Sequence, residues 1–377
     1  MNQRAGEQDR ETSQVSPPRL LPSVDEITPE WIQAVFDAAG TPVPRVTGVA
    51  NEAIGHGNMS DAVVTHLAYA DDAPGAPGSV VCKFTSRLPV ALALAEGSGA
   101  YRREVMTYRL LAGRPSIRTP RVYFAETDAT GSRLNLVMED LSAFAEPGDQ
   151  IAGCSPRDAG AAIAEFAALH AAFWRDPAVE EMDWLFSNRP RAAAGAVQGF
   201  AAGARVCLER FGDRLPGEVF AAIDAFAPQV GEWAAAVPRR KTLIHREARV
   251  DNVVFDRRDP DRVRAYVIDW QFTSCGDPQY DIAYLASGSL EPQDRRACEA
   301  GLVEAHVARI REIDPGYTLD EAREAYRFFL PSGLLTTLSA ALVLPPGEHE
   351  DLLLMTLLRR NVAALVDWEW VKVPGGA

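Results

Sequence analysis

Between Leu243 and Phe255 the chain runs from apolar to densely polar and back. Leu243-Ile244 leads in. His245-Arg246-Glu247-Ala248-Arg249-Val250-Asp251-Asn252 then places six polar residues in eight positions, and Val253-Val254-Phe255 leads out. Short apolar runs bounded by polar clusters read as buried strands. A core cannot absorb so many charges unpaired, so the polar stretch must form a loop between two strands. A further apolar run, Tyr266-Val267-Ile268, ends in Asp269-Trp270-Gln271. Two strand-terminal acids and an Asn, close in sequence, suit Mg²⁺, which takes oxygen ligands from one or two carboxylates and from substrate phosphates. A plain polar loop capped by strand-end acids satisfies the same pattern.

The chain around this segment divides in two. Thr28-Pro29-Glu30 opens a helix carrying Trp31, Ile32, Val35 and Phe36. Residues 45–56, 60–69 and 79–85 then have the β-branched, alternating character of strands. The spacing predicts one helix over 90–112 and strands near 121–126 and 133–139. After Asp140 the period changes. Ser155-Pro156-Arg157-Asp158 is a capping box, and Ile163, Phe166, His170 and Phe173 recur at helical spacing behind it. More helices are expected at about 190–212, 214–236, 292–313, 320–341 and 347–368, with short β segments across 242–272. The expectation is an α+β architecture: a polar, disordered tail over 1–20, a β-rich lobe over 21–140 with one inserted helix, and a helical lobe over 141–377.

Composition narrows the function. Fifty-two acidic residues stand against 38 basic ones, a formal charge of −14. That balance argues against nonspecific nucleic-acid binding and against an anionic membrane surface. No apolar run is long enough to span a bilayer, and residues 1–20 have no apolar stretch of the secretory kind. The five cysteines, Cys82, Cys154, Cys207, Cys275 and Cys298, contain no CxxC pair. Reduced thiols in a cytoplasmic protein are the expectation. Of the 38 basic residues only Lys83, Lys241 and Lys372 are lysine. A lysine kept inside the apolar run Val80-Val81-Cys82-Lys83-Phe84 therefore needs a reason; lying along apolar surface with its charge in water would be one.

The 243–255 segment resembles the catalytic loop of the aminoglycoside phosphotransferase, choline kinase and ecdysteroid-kinase-like superfamily, whose fold is that of the protein kinases. The family loop reads H-G-D-x-x-x-x-N and is followed by I-D-W/F. His245, Glu247 and Asn252 fall on the His, Asp and Asn positions, and Asp269 on the metal-binding Asp. Arg249-Val250-Asp251-Asn252 resembles R-L-D-N, and Gly276-Asp277-Pro278-Gln279-Tyr280-Asp281-Ile282-Ala283 resembles G-D-P-x-x-D-L-A. The likeness covers about residues 25–365.

The resemblance implies a bilobal protein-kinase-like fold with an ATP site. Lys83, on the third strand, would hold the α/β-phosphates, with Glu104 on the following helix as its ion-pair partner. The turn Gly55-His56-Gly57-Asn58-Met59-Ser60 takes the phosphate-loop position, with Gly55, Gly57, Asn58 and Ser60 near phosphate; as a motif it reads equally as a hairpin turn. Val137-Met138-Glu139-Asp140-Leu141 resembles the hinge, where backbone groups of Glu139 and Leu141 would meet adenine. Asn252 and Asp269 would hold Mg²⁺, and Glu247 would position and deprotonate the acceptor hydroxyl. His170 and His245 read as structural, and Asp277 and Asp281 as anchors for backbone N–H groups.

Arg246 and Glu247 depart from the family's Gly and Asp. Glu reaches one methylene further, and misplacement by an ångström costs about 10²-fold in rate. Two readings follow. In one the loop is rebuilt around Glu247, with Arg246 helping to neutralise transferred phosphate. In the other the protein binds nucleotide without transfer and acts through a partner. Only twelve positions separate Asp269 from Asp281 and A-P-E is absent, so a peptide platform has no room and a small-molecule acceptor is expected. Neither G-x-S-x-G nor G-x-G-x-x-G before a helix occurs, which removes the hydrolase and dinucleotide-fold readings. The net acidity suits a cationic acceptor such as an aminoglycoside or choline-like amine; sugars, sterols, macrolides and hydroxyacyl compounds stay open. The oligomeric state is not encoded in any motif.

Overall fold

The computed structural model describes residues 18–54, 59–114, 116–186 and 190–370. The glycine turn at Gly55, Gly57 and Asn58, and most of the predicted tail, lie outside the described residues. Contacts divide the chain into two units. One holds the chain up to Gly97 together with Arg121–Asp140; the other holds Ser98–Pro120 and everything from Leu141 onward.

The first unit is built on a five-stranded antiparallel sheet. Its strands are β1 (Val46–Ala53), β2 (Ser60–Tyr69), β3 (Ser79–Thr85), β4 (Val122–Thr127) and β5 (Leu134–Glu139), in the order β1-β2-β3-β5-β4. Helix α1 (Pro29–Ala38) starts on Thr28, whose hydroxyl accepts the Trp31 N–H, and buries Trp31, Ile32, Val35 and Phe36. These pack on Val80, Cys82, Phe84 and Phe124, with Trp31 5.8 Å from Phe84 and 5.9 Å from Phe124 between ring centroids. Strand side chains alternate, so Val81, Lys83 and Thr85 occupy the opposite face of β3. Helix α2 (Pro89–Ser98) follows.

The single helix expected over 90–112 is two. Gly99 stands at φ 69°, a left-handed position that ends α2 and starts α3 (Ala100–Gly113). The chain after the break belongs with the helical unit. Arg114 bonds Asp176, and the N–H of Arg118 donates to Glu165.

The second unit continues with β6 (Glu146–Pro147), α4 (Pro156–Ala172), α5 (Pro177–Glu181), α6 (Pro190–Phe211), α7 (Gly217–Phe226) and α8 (Val230–Ala235). Then come β7 (Thr242–Ile244), β8 (Val253–Asp259), β9 (Arg262–Val267) and β10 (Ser274–Gly276). Helices α9 (Gln279–Ser289), α10 (Pro292–Arg311), α11 (Leu319–Phe329), α12 (Pro331–Ala340) and α13 (Glu348–Asp367) close it. β7 pairs with β10, and β6, β8 and β9 form a small sheet. The capping box at Ser155 forms as read: its hydroxyl accepts the Asp158 N–H, and Ile163, Phe166, His170 and Phe173 are buried.

Two other expected helices are also divided. The one over 214–236 breaks at the 3-10 turn Ala227–Gln229, which contains Pro228, and the one over 320–341 breaks at Pro331. Every residue of α9 is buried, so it forms the axis of the helical unit. All five cysteines are free thiols. No described helix is long and apolar enough to cross a membrane.

Candidate functional site

The polar stretch from His245 to Asn252 leaves β7, makes one 3-10 turn at Val250–Asn252, and enters β8. Its shape is set by Asp281, from the first turn of α9. One carboxylate oxygen accepts the His245 N–H at 2.7 Å and the other accepts the Arg246 N–H at 2.8 Å. Asp281 is in turn the end of a buried chain. The Gln279 amide nitrogen can only donate, so His306 Nδ1 accepts from it at 2.9 Å. His306 Nε2–H then donates to His170 Nδ1, and His170 Nε2–H to Asp281, each at 3.1 Å. Burial holds His306 neutral, well below the usual imidazole range, and the neighbouring His170 adds to this. His170 and Asp281 are thus structural, as the sequence implied, and so is His245. Its Nε2–H donates to the Ile268 carbonyl at 3.0 Å, its Nδ1 accepts the Glu247 N–H at 3.2 Å, and burial lowers its pKa. The buried Trp270 ring packs on it at 4.6 Å. Asp277 accepts the Gln279 N–H at 3.0 Å, and burial raises its carboxyl to about 7.

This bracing gathers Glu247, Asn252 and Asp269. Asn252 Nδ2 donates to the Glu247 carbonyl at 2.9 Å, and the Asn252 carbonyl accepts the Ile268 N–H at 3.0 Å, which sets Asp269 beside the loop. Gln271 Nε2 donates to Asp269 Oδ2 at 3.3 Å. Burial lifts the Glu247 carboxyl to about 7; Arg249 opposes the shift and Asp269 adds to it. Two mutually destabilising carboxylates and an amide whose nitrogen is already engaged, leaving its oxygen as donor, fit a hard divalent cation completed by water and phosphate. Among the described residues no group of three or more His, Cys, Asp or Glu is placed to hold a metal, so these chains alone would make a partial shell.

Two loop residues have left-handed backbones: Arg246 at φ 73° and Asp269 at φ 66°. Both are rare for side chains of this size and carry strain of about 1 kcal/mol or more. The Arg246 guanidinium stacks 3.9 Å from the Phe186 ring centroid, and Arg103, from α3, lies 5.4 Å from the same centroid. Arg249 pairs with Asp251 at 3.8 Å. Tyr280 and Tyr284, one turn apart on α9, stack at 6.2 Å, and burial raises both phenols.

Lys83 sits at the centre of the first unit's sheet, between Ala62 of β2 and Leu136 of β5, on the face turned away from α1. Ser60 begins β2, buried opposite Thr85. Glu139 ends β5, its N–H donating to the Arg121 carbonyl at 2.8 Å and its carboxylate accepting the Arg121 N–H at 3.1 Å. Leu141 opens the second unit, buried with Ala145 and Val254, and its carbonyl accepts from Phe144 and Ala145. Glu104 is buried in α3 of the second unit. Sequence reasoning missed Arg103, Phe186, Gln271 and Tyr284. Gln271 follows Asp269 within the quoted motif, but no spacing marks the others.

A family model described as the phosphotransferase enzyme family matches residues 76–319. A search of curated proteins finds no match. Among solved structures, a microcompartment-associated aminopropanol kinase superimposes with TM-score 0.56 at 14% identity, over 90% of this chain and 99% of its own. Ethanolamine kinase of Plasmodium vivax does so with TM-score 0.53 at 10% identity, over 87% and 86%. Choline kinase of Cryptosporidium parvum does so with TM-score 0.53 at 9% identity, over 91% and 94%. At these identities the likeness is one of fold: a β-sheet lobe and a helical lobe of the protein-kinase kind, as the sequence suggested. The matched segment spans β3, the polar loop and α9, and the chain belongs to the phosphotransferase enzyme family.

Proposed function

We propose that the protein transfers the terminal phosphoryl group of ATP, with Mg²⁺, to a hydroxyl of a small molecule. The observation that carries the reading is the braced cluster of Glu247, Asn252 and Asp269, in which one carboxyl is lifted to about 7. A carboxyl poised near neutrality accepts a proton from a hydroxyl more readily than an ordinary glutamate. Glu247 positions and deprotonates the acceptor. Asn252 Oδ1 and the Asp269 carboxylate hold Mg²⁺, which neutralises phosphate charge when bound. Lys83 holds the α/β-phosphates, oriented by Glu104; Ser60 and the Gly55, Gly57 and Asn58 turn approach phosphate; and the backbone at Glu139 and Leu141 meets adenine.

The acceptor hydroxyl loses its proton to Glu247 as its oxygen bonds to phosphorus, and the bridging oxygen leaves with ADP. The solved kinases of similar fold are named for ethanolamine, choline and aminopropanol, which supports a small alcohol as acceptor class.

One observation favours a second reading, nucleotide binding without transfer. The family's Gly-Asp pair is Arg246-Glu247 here, and the arginine is held in a backbone conformation that glycine adopts freely. Calorimetric ATP titration with and without Mg²⁺, on the wild type and Asp269→Asn, tests the nucleotide site without knowledge of the acceptor. Mg-dependent binding that the substitution removes supports the site; unaltered binding overturns the metal assignment. Glu247→Asp then separates the two readings, because faster ADP release would mark a degenerate site and slower release one rebuilt around Glu.

A further inference from the structure

Arg103 and Arg246 both approach the Phe186 ring; among the described residues no carboxylate pairs with Arg103, and the only carboxylate acting on Arg246 is the neighbouring Glu247. Arg103 is 4% exposed. Its two terminal nitrogens donate to the carbonyls of Gln271 at 2.6 Å and Ser98 at 2.8 Å, while its Nε is buried without a partner. Arg246 Nη1 is buried without a partner as well. Burial, with the Arg246 charge adding to it, lowers the Arg103 pKa to about 10; no acid acts against this. Of the nearby acids, Asp251 pairs with Arg249, Asp281 takes backbone and imidazole donors, and Glu247 interacts more strongly with Arg249 than with Arg246.

A guanidinium with a buried nitrogen left without a partner is costly, and so is a left-handed arginine where glycine would be free of strain. The fold keeps both features at one place, beside Glu247. Arginine is suited to this arrangement because its planar fork can stack on an aromatic ring while its edge pairs with a carboxylate or phosphate.

We propose that Arg246, stacked on Phe186 and backed by Arg103, seats an anionic group of the acceptor, so that the molecule phosphorylated carries a negative charge, in the first instance a carboxylate, as well as its hydroxyl. This rests on the phosphotransfer reading, in which Lys83, Asn252 and Asp269 take the nucleotide phosphates and Glu247 the hydroxyl. The anion at Arg246 then belongs to the acceptor. The seat repels the cationic amines that the chain's net acidity suggested.

The test has two readouts. The nucleotide-free full chain is melted with glycolate, 3-hydroxybutyrate, gluconate and glycerol phosphate, each beside its neutral ester, amide or alcohol, and beside ethanolamine. At least one anion should raise Tm where its neutral counterpart does not. Arg246→Gly should weaken that effect about tenfold or more, and Arg246→Lys should weaken it less. Glycine suits the backbone at this position, so a folded variant is expected. Equal effects of anion and neutral counterpart, equal effects on wild type and Arg246→Gly, or no shift with any anion would each overturn the seat.

ADP release with ATP and Mg²⁺ is scored separately. Anion binding that depends on Arg246 without any transfer would leave the seat standing and sink the phosphotransfer reading. Transfer to neutral or cationic acceptors as readily as to anions would do the reverse. The preference should reside in KM, which the Arg246 variants raise far more than they lower kcat.

Discussion

At Arg246 stability and binding pull in opposite directions. The residue combines a left-handed backbone with a buried, unpartnered nitrogen, against which stand its stacking on Phe186 and its contacts with Tyr280 and Glu247. Arg246→Gly is therefore expected to stabilise the protein by about 1 kcal/mol in urea denaturation, although it removes a contact. A loss of stability would mean that the contacts of the guanidinium with Phe186, Tyr280 and Glu247 outweigh the strain. Glu247 gives a kinetic signature. Its carboxyl must be ionised to accept a proton, so kcat/KM should rise with pH through an apparent pKa near 7, and an ordinary carboxylate profile, flat above pH 6, would argue against the role. The candidate cluster was legible because Glu247 and Asn252 lie in one polar segment between two apolar runs and Asp269 ends the next apolar run. The guanidinium pair was not. Arg103 lies far from Arg246 in sequence, and among so many arginines nothing in composition separates it from a solvated one.

Strands and helix starts were readable because alternation and capping are local properties: β1, β2 and β3, the Thr28 cap and the Ser155 box all stand where the residues put them. Helix interruptions were less so. A helical period continues in phase across Gly99, Pro228 and Pro331, and only tertiary packing decides that the chain turns there. The crossing of α6 and α12 gives an element-level test. A Cβ on Gly203 would stand 2.1 Å from the Leu338 carbonyl oxygen, whereas one on Gly195, two turns earlier in α6, would meet nothing within 4 Å. Gly203→Ala should cost about 2 kcal/mol or more by forcing the two backbones apart, and Gly195→Ala should add about 0.5–1 kcal/mol of helix propensity. Similar effects at both positions in chemical denaturation would mean that the crossing is loose.

Across the molecule the buried titrating groups set a pH profile. His245 and His306 have pKa values below the usual 6.5, so their contribution is complete above that pH and is lost as pH falls below it. Glu247 and Asp277 are raised to about 7 from 4.5 and 3.8, so theirs is complete at acid pH and lost as pH rises. The two effects oppose each other between about pH 4.5 and 6.5. A Glu247→Gln, Asp277→Asn double variant should expose the histidine limb, with Tm falling more steeply on acidification than in the wild type; parallel curves would show that the carboxyls do not titrate there. Finally, the sequence writes almost all of its positive charge as arginine, and the lysine amines number three. Lys241 is tied to Glu180, and Lys83 is the lysine of the central strand of its sheet. In chemical terms the protein is a nearly blank background for amine acylation. An acyl-phosphate analogue of ATP should mark the peptide carrying Lys83, with protection by ATP and Mg²⁺, so that a single mass spectrum would locate the nucleotide before any acceptor is known.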